Sequence, residues 1–472
     1  MMGFYEAKPE YRDHLMLMDD NGMRVTYGGF EVFCDTVGKK LETGTLMVIF
    51  CENSIGSVFF YLTCLNKGIV PLLLDKNMDS KLAEGLIQTY RPDYVAMPAG
   101  SSPASETCTG KPVAAGYGYV VIQCEKEEKT RLHKDLALLL TTSGSTGSPK
   151  LVRQSRENII SNAEAIAAYL ELDESERPIT VLPMNYTYGL SIINSHLQVG
   201  AAILLTNHTL FDQEFWTFAR KAGATSLSGV PYTFEMLKRL SFFKMELPAL
   251  KTLTQAGGKL SEKLHREFAE YAEKHGKKFV VMYGQTEATA RMGYLPAEKA
   301  ITKCGSMGIA IPGGTFRLME DERTEITAPD TVGELVYEGK NVTMGYAQCC
   351  EDLAKGDERG GILYTGDMAK RDVDGYYYIT GRKKRFLKMF GKRVNMDEIE
   401  QMVKSEYDGV GTACTGVDDH MKIYVEGETE GLCTRIETWL AEKTGIHPRG
   451  IQVISIAEIP KNDSGKTLYH AL

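Results

Sequence analysis

The sequence predicts an α/β fold, with a large N-terminal α/β domain of several subdomains and a small C-terminal α+β domain. Three observations carry that expectation. Short apolar runs alternate with stretches of helical periodicity over most of the chain. One of these runs, Ala137 to Thr142, opens directly into a loop of small hydroxylated residues and glycines that closes on Pro149-Lys150. From about Glu334 the texture becomes β-rich, and the charged, glycine-flanked segment Gly381-Arg382-Lys383-Lys384-Arg385 sets off a short α+β tail. A boundary belongs in that segment, giving an N-terminal domain over 1–380, a hinge over 381–384 and a C-terminal domain over 385–472. At 472 residues the chain is too long for one compact core, since domains run to about 100–200 residues each.

The elements follow in order. Val48-Ile49-Phe50-Cys51 reads as a buried strand and Ile55 to Lys67 as a helix. Ile69 to Leu74, Tyr119 to Ile122 and Ala137 to Thr142 are further strands. Ser155 is a good N-cap for a helix whose apolar stripe is Ile159, Ile160, Ala163, Ile166, Ala167 and Leu170. Ala201 to Leu205 and Phe279 to Met282 are strands that open onto motif loops. In the β-rich part, Glu334 to Glu338 and Gly375 to Ile379 are extended. The tail reads as a helix from about Asp397 to Tyr407, a strand near Lys422 to Glu426, a helix from Leu432 to Thr444 and a strand from Ile451 to Ile456.

Composition sets the class and excludes others. Hydrophobic content of 43% and charged content of 25% are those of an ordinary globular protein. A net charge of −8 argues against a dedicated nucleic-acid binder. The first 25 residues mix acids and bases, including Glu6, Lys8, Glu10 and Arg12, which is not the pattern of a signal peptide. The most apolar stretch, Leu46 to Leu65, is broken by Glu52 and Asn53 and does not read as a membrane span. Ten scattered cysteines without a Cys-x-x-Cys spacing predict reduced thiols and a cytoplasmic protein.

The loop after Thr141 carries the chemistry. Gly144 and Gly147 let backbone N–H groups crowd around an anion, the hydroxyls of Thr142, Ser143, Ser145 and Thr146 can donate to phosphate oxygens, and Lys150 supplies charge. This suits a polyphosphate, with a flexible Gly/Ser linker as the rival reading. The spacing is not that of the P-loop, and Gly465-Lys466-Thr467 fails as one because Pro460 stands where the first glycine is required.

Seven motifs, in order along almost the whole chain, resemble those of the AMP-forming adenylating enzymes: acyl-CoA synthetases, adenylation domains and luciferases. They are the loop just described, Leu182-Pro183-Met184-Asn185-Tyr186-Thr187-Tyr188-Gly189-Leu190, Gln255-Ala256-Gly257-Gly258-Lys259-Leu260, Tyr283-Gly284-Gln285-Thr286-Glu287, Tyr364-Thr365-Gly366-Asp367, Gly381-Arg382, and Pro460 to Lys466. The opening pattern from Thr26-Tyr27 through Asn53 to Gly68 is also similar. The resemblance implies ATP and Mg²⁺ as cofactors, a small carboxylic acid as substrate and coenzyme A as acceptor. It places Glu287 as the Mg²⁺ ligand with a hydroxyl from Thr142 or Thr286, Thr286 on the α-phosphate, and Asp367 on the ribose hydroxyls. Tyr283 would lie along adenine, Gly257-Gly258 would admit the base close to backbone, and Ala256, Lys259, Gly284 and Gln285 complete the nucleotide motifs. Lys466 would bridge the substrate carboxylate and the α-phosphate. Arg382 would contact nucleotide, Lys384 would be the pivot of a mobile C-terminal domain, and Arg393 would meet the acceptor side. The acyl pocket would include Tyr186, Gly189, Gly229, Val230 and Met282.

Departures from the pattern narrow these expectations. Tyr186 stands where histidine is usual, which leaves the orientation of the carboxylate open. No aspartate lies between Pro183 and Gly200, which disfavours an α-amino acid, and the pocket residues are apolar and aromatic, which fits an acyl or aryl acid. Met389-Phe390-Gly391-Lys392-Arg393 lacks the double glycine of many CoA ligases, so an acyl carrier protein or an amine in trans is the alternative acceptor. The basic run Lys383, Lys384, Arg385, Lys388, Lys392 and Arg393 either attracts the phosphates of such an acceptor or is a solvated face. A nucleotide-binding protein that has lost catalysis is the reading from another class.

Overall fold

The computed structural model describes residues 3–6, 8–101, 110–125, 129–141, 150–407, 410–427, 431–461 and 467–472. Its contacts divide the chain into two units: Met1–Thr315 with Glu338–Leu363, and Phe316–Tyr337 with Tyr364–Leu472.

The first unit contains two large sheets. In the eight-stranded sheet, Leu46–Cys51, Val70–Asp75, Tyr94–Pro98 and Leu136–Thr141 run parallel, and every residue of Leu46–Cys51 is buried. That follows from a near-continuous apolar run covered on both faces. Leu151–Ser155 returns antiparallel to Leu136–Thr141, and Gly345–Ala347 joins from far along the chain as the outer strand, with Tyr346 opposite Val152. In the nine-stranded sheet, Ser226–Gly229, Thr252–Gln255 and Lys278–Tyr283 are consecutive parallel neighbours.

Two helices are buried almost all round. Ile55–Lys67, capped by Ser54, buries every residue from Ile55 to Leu65, and Thr187–Gln198 buries every residue from Tyr188 to Leu197. Both pack in one core with Met47, Ile49, Ile203 and Leu205, side chains drawn from both sheets. A helix apolar on all sides belongs inside a large protein. The apolar stretch from Leu46 to Leu65 is therefore a core strand plus a core helix, and among the described residues no helix is long and apolar enough to cross a membrane. Ser155 caps Arg156–Leu170 as expected: its hydroxyl accepts from the Asn158 N–H while the Asn158 side chain accepts from the Ser155 N–H.

The second unit holds a four-stranded sheet in the order Gly314–Met319, Gly333–Gly339, Ile362–Arg371, Tyr377–Arg382. A hairpin of Phe386–Met389 and Lys392–Asn395 follows, then Thr412–Val417, His420–Glu426 and Ile451–Ile456 as a three-stranded sheet with helices Met396–Glu406 and Leu432–Thr444. Part of the basic run serves this fold. Arg385 pairs with Asp397 and Glu400 and lies 3.8 Å over the Tyr469 ring, and Lys383 pairs with Glu334 at 2.7 Å. The described cysteines are free; Cys34, Cys51 and Cys64 are buried in the first unit and Cys414 in the second.

Candidate active site

The three neighbouring parallel strands of the nine-stranded sheet each end in a loop that the sequence singles out. Ser226–Gly229 runs into Val230, Thr252–Gln255 into Ala256-Gly257-Gly258-Lys259, and Lys278–Tyr283 into Gly284-Gln285-Thr286-Glu287. The pairings Gly229–Gln255 and Gln255–Val281 bring these ends level. The carboxyl ends of parallel strands are where α/β sheets bind ligands. Val230, Ala256 and Met282 pack there in one cluster with Leu182 and Tyr188, and Tyr186 lies against it.

Gly257 is needed for space and for backbone. Its φ is +83°, and a β-carbon would come within 2.8 Å of Tyr186 Oη and 3.0 Å of Val230 Cγ1. Gly284 is tighter still, since a β-carbon would sit 1.5 Å from the Ala290 carbonyl oxygen. Gly189 and Gly229 have packing reasons of their own against Pro183 and Thr233. The Gln255 amide donates to the carbonyls of Ala256 (3.2 Å) and Gly258 (2.9 Å), so the loop is shaped by a side chain at its own strand end. Lys259 and Gly258 are exposed, while Tyr283, Gly284, Gln285 and Thr286 are half-buried. Burial pushes the Tyr186 phenol up to about 12, so the group standing in the histidine position stays neutral and is no proton carrier near pH 7.

Glu287 sits in a short turn, Thr286–Ala288, whose backbone is held from the 338–363 segment. Its carbonyl accepts from the Thr343 N–H (3.0 Å), the Thr343 hydroxyl (2.9 Å) and Arg359 (3.0 Å). Its carboxylate accepts from Tyr346 Oη at 2.7 Å. Burial, then the Glu287 charge, pushes the Tyr346 phenol up to about 12, which keeps it a donor. The Tyr346 ring also faces two cations, Arg359 at 4.8 Å and Lys150 Nζ at 5.6 Å. Lys150, at the end of the Ser/Gly loop, and Glu287, at the end of a strand in the other sheet, therefore meet across one tyrosine. Tyr346 and Arg359 were not singled out by the sequence; the one local signal is Gly345-Tyr346 opening a strand, with Gly345 at φ +124° close to Arg153 and Glu358.

In the second unit, Asp367 and Arg382 are opposite each other in the ladder, with Arg382 Nε 3.7 Å from Asp367 Oδ1. Asp367 is buried and Arg382 exposed. Lys384 lies in the exposed turn Lys383–Arg385. Arg393 is opposite Lys388 in the hairpin, with its side chain outside the described ones. Thr142, Ser143, Gly144, Ser145, Thr146, Gly147 and Lys466 lie outside the described residues. The residues flanking them are paired: Thr141 with Leu151, and Lys461 with Thr467.

Residues 4–347 match the AMP-binding enzyme family. The chain belongs to that family. Among relatives of this AMP-binding enzyme, an oxalate–CoA ligase of Arabidopsis thaliana is 31% identical over 290 residues, 60% of this chain and 55% of the relative. A sulfoacetate–CoA ligase of Cupriavidus necator is 28% identical over 339 residues, 70% of this chain and 65% of the relative. The chain thus spans from just over half to just under two thirds of the length of these curated relatives. The o-succinylbenzoate CoA synthetase of Bacillus subtilis, solved with its acyl-adenylate intermediate, shares the fold with a TM-score of 0.79 at 19% identity, over 98% of this chain and 95% of that one. The AMP-binding enzyme thus has the expected mixed α/β fold, a large N-terminal domain followed by a smaller C-terminal one.

Proposed function

We propose that this chain is an ATP-dependent, AMP-forming acid–thiol ligase acting on a small carboxylic acid, with coenzyme A as acceptor. The observation that carries the reading is the convergence of Lys150 and Glu287 on Tyr346, which sets a cation and a carboxylate on either side of one phenol. In the first half-reaction a substrate carboxylate oxygen attacks the α-phosphorus of ATP. The new O–P bond forms as the bond to the bridging oxygen breaks, and pyrophosphate leaves with that electron pair. In the second, the thiol sulfur attacks the acyl carbon, loses its proton, and AMP departs. Two anions meet in the first step, so cationic charge must be supplied: Lys150 on the loop side and Lys466 from the C-terminal domain.

Glu287 fits a Mg²⁺ site. It offers a single carboxylate, oriented by Tyr346, and among the described residues no group of three His, Cys, Asp or Glu side chains is gathered that could hold a metal. Mg²⁺ takes one or two protein oxygens and fills its octahedron with water and phosphate; when bound it would neutralise charge on the transferring phosphates. Asp367 would take the ribose hydroxyls, Tyr283 would line the base, and the segment 381–384 would be the hinge. Free, buried thiols suit a cytoplasmic setting.

The test is pyrophosphate release over a panel of carboxylic acids with ATP, Mg²⁺ and coenzyme A. Turnover with at least one acid, and formation of its CoA thioester, is the expected result; no ATP turnover above background with any acid overturns the reading. A second acceptor is favoured by one observation: Met389 and Lys392 close a tight hairpin with Phe390 (φ +49°) and Gly391 (φ +84°) at its tip, without a double-glycine approach. Acyl transfer to purified carrier protein but not to coenzyme A would select that alternative.

A further inference from the structure

Behind the strand ends lies a narrow cavity between helices Arg156–Leu170 and Thr187–Gln198 and the strands Ser226–Gly229, Thr252–Gln255 and Lys278–Tyr283. Met282 is on its wall, so it continues the predicted acyl pocket, and Ile166, Leu170 and Ile192 make it apolar on the helix side. Three polar atoms of its lining residues are buried without a hydrogen-bond partner among the described residues: Arg291 Nε, His196 Nε2 and Ser226 Oγ. Their residues are 3%, 3% and 5% exposed. Orphans of this kind are rare in folded proteins, and three around one space mark a place built for a polar group.

The chemistry of that group follows from Arg291. Its guanidinium lies 3.7 Å over the Tyr188 ring and acts electrostatically on the Tyr169 hydroxyl, both uncharged neighbours. The acid on the cavity wall, Glu176, is engaged elsewhere, by the Thr225 hydroxyl and by Lys251 at 3.6 Å. A buried cation without a counter-ion is costly, and an anion arriving with the substrate removes that cost. As it stands the cavity admits little more than one water-sized group, so what enters is a single oxygen of a small acidic terminus, not a hydrocarbon chain. His196, also on the lining, is fixed by its Nδ1 against the Ile192 carbonyl at 2.8 Å, which leaves Nε2 as its unpaired ring atom.

We infer that the substrate carries a second acidic group, a carboxylate or sulfonate, whose oxygen is taken by Arg291 and Ser226 while the first carboxylate is activated at the strand-end loops. The inference rests on the ligase reading and narrows the acyl or aryl acid that the sequence suggests to a diacid. Matched pairs test it: butanoate, 4-hydroxybutanoate and butanedioate, and benzoate against benzene-1,3-dicarboxylate, by ATP–pyrophosphate exchange. The diacid of a pair should exceed its monoacid in kcat/KM by roughly 10- to 100-fold. Arg291→Met should abolish that ratio through KM of the diacid, leaving the monoacid's value in place, and Arg291→Lys should retain part of it. Preference for the monoacid or the hydroxy acid in the unmodified enzyme overturns the inference, whether or not the variants fold. So does an Arg291→Met enzyme with an unchanged ratio, which would make the cavity a water site only. No turnover with any acid overturns the ligase reading itself, and this inference with it.

Discussion

At Glu287 the expected chemistry depends on a neighbour that no motif supplied. A carboxylate that is to meet a metal must be held without being neutralised. Tyr346 does this with a phenol whose proton is secure near pH 7, bonding one oxygen at 2.7 Å. Glu287→Gln should lower adenylation by about 100-fold or more, as loss of a charged group aimed at the transferring phosphates does. Tyr346→Phe removes only a charge-assisted hydrogen bond, usually about 1.5–3 kcal/mol, so a fall of about 10- to 100-fold is expected, with more Mg²⁺ needed for half-maximal rate. Measuring pyrophosphate release against Mg²⁺ concentration for both variants separates ligand from positioning group. If Tyr346→Phe is as inactive as Glu287→Gln with no change in the Mg²⁺ requirement, Tyr346 does something other than orient the carboxylate.

Among the elements, the join between Leu151–Ser155 and Gly345–Ala347 is what brings Tyr346 to Lys150. Arg153 secures it. The residue is fully buried and its guanidinium donates to the carbonyls of Met344 (3.1 Å), Tyr346 (3.0 Å), Gly356 (3.1 Å) and Lys355, and to the Glu358 carboxylate. Arg153→Leu removes all of these guanidinium hydrogen bonds at once, and a loss of about 3–5 kcal/mol is expected from urea unfolding midpoints. A loss below about 1 kcal/mol would mean that water replaces the guanidinium. This join also marks the limit of what the sequence made legible. Strands such as Leu46–Cys51 and Lys278–Tyr283, the helix Ile55–Lys67 and the tail elements Leu432–Thr444 and Ile451–Ile456 were readable because apolar period and capping are local properties. Helices Gln213–Ala222 and Glu262–Lys274 passed unread although each carries an apolar stripe, since charged residues fill most of their remaining positions. The motif loops were readable because glycine, hydroxyl and acid lie side by side in the chain. Tyr346, Arg359 and Arg291 acquire their places only through pairing with distant segments, and no short stretch of sequence contains that information.

For the molecule as a whole, stability should carry the mark of His196. Burial lowers its imidazole to about 4, against an ordinary value near 6.5, with the Ile192 carbonyl and then Glu176 pulling the other way. Above pH 6.5 the histidine is neutral in both states and nothing is lost. As pH falls from 6.5 towards 4 the unfolded chain binds a proton that the folded one refuses, so roughly 3 kcal/mol of stability drains away across that window. Denaturation curves at pH 7, 6, 5 and 4 should show this, and His196→Gln should flatten the slope by about one proton; parallel slopes would place the acid sensitivity elsewhere. Activity should divide along the chain in another way. Lys466→Ala should depress adenylation by about 100-fold, as removal of a cation at the reacting phosphate does, while the unfolding midpoint stays within about 0.5 kcal/mol. Retained adenylation would remove the assigned role.

The buried cysteines give the two units separate clocks. A thiol that burial keeps protonated and enclosed is invisible to a disulfide reagent until the structure around it opens. Cys51 and Cys64 lie in the core of the first unit and Cys414 in that of the second, where burial raises its thiol well above the ordinary range. Labelling followed by peptide mass mapping would therefore time the opening of each unit within one intact, unmodified chain. With ATP present, slower modification of Cys51 and Cys64 at an unchanged rate for Cys414 would report nucleotide held by the first unit alone; slowing at all three would report that both units take part.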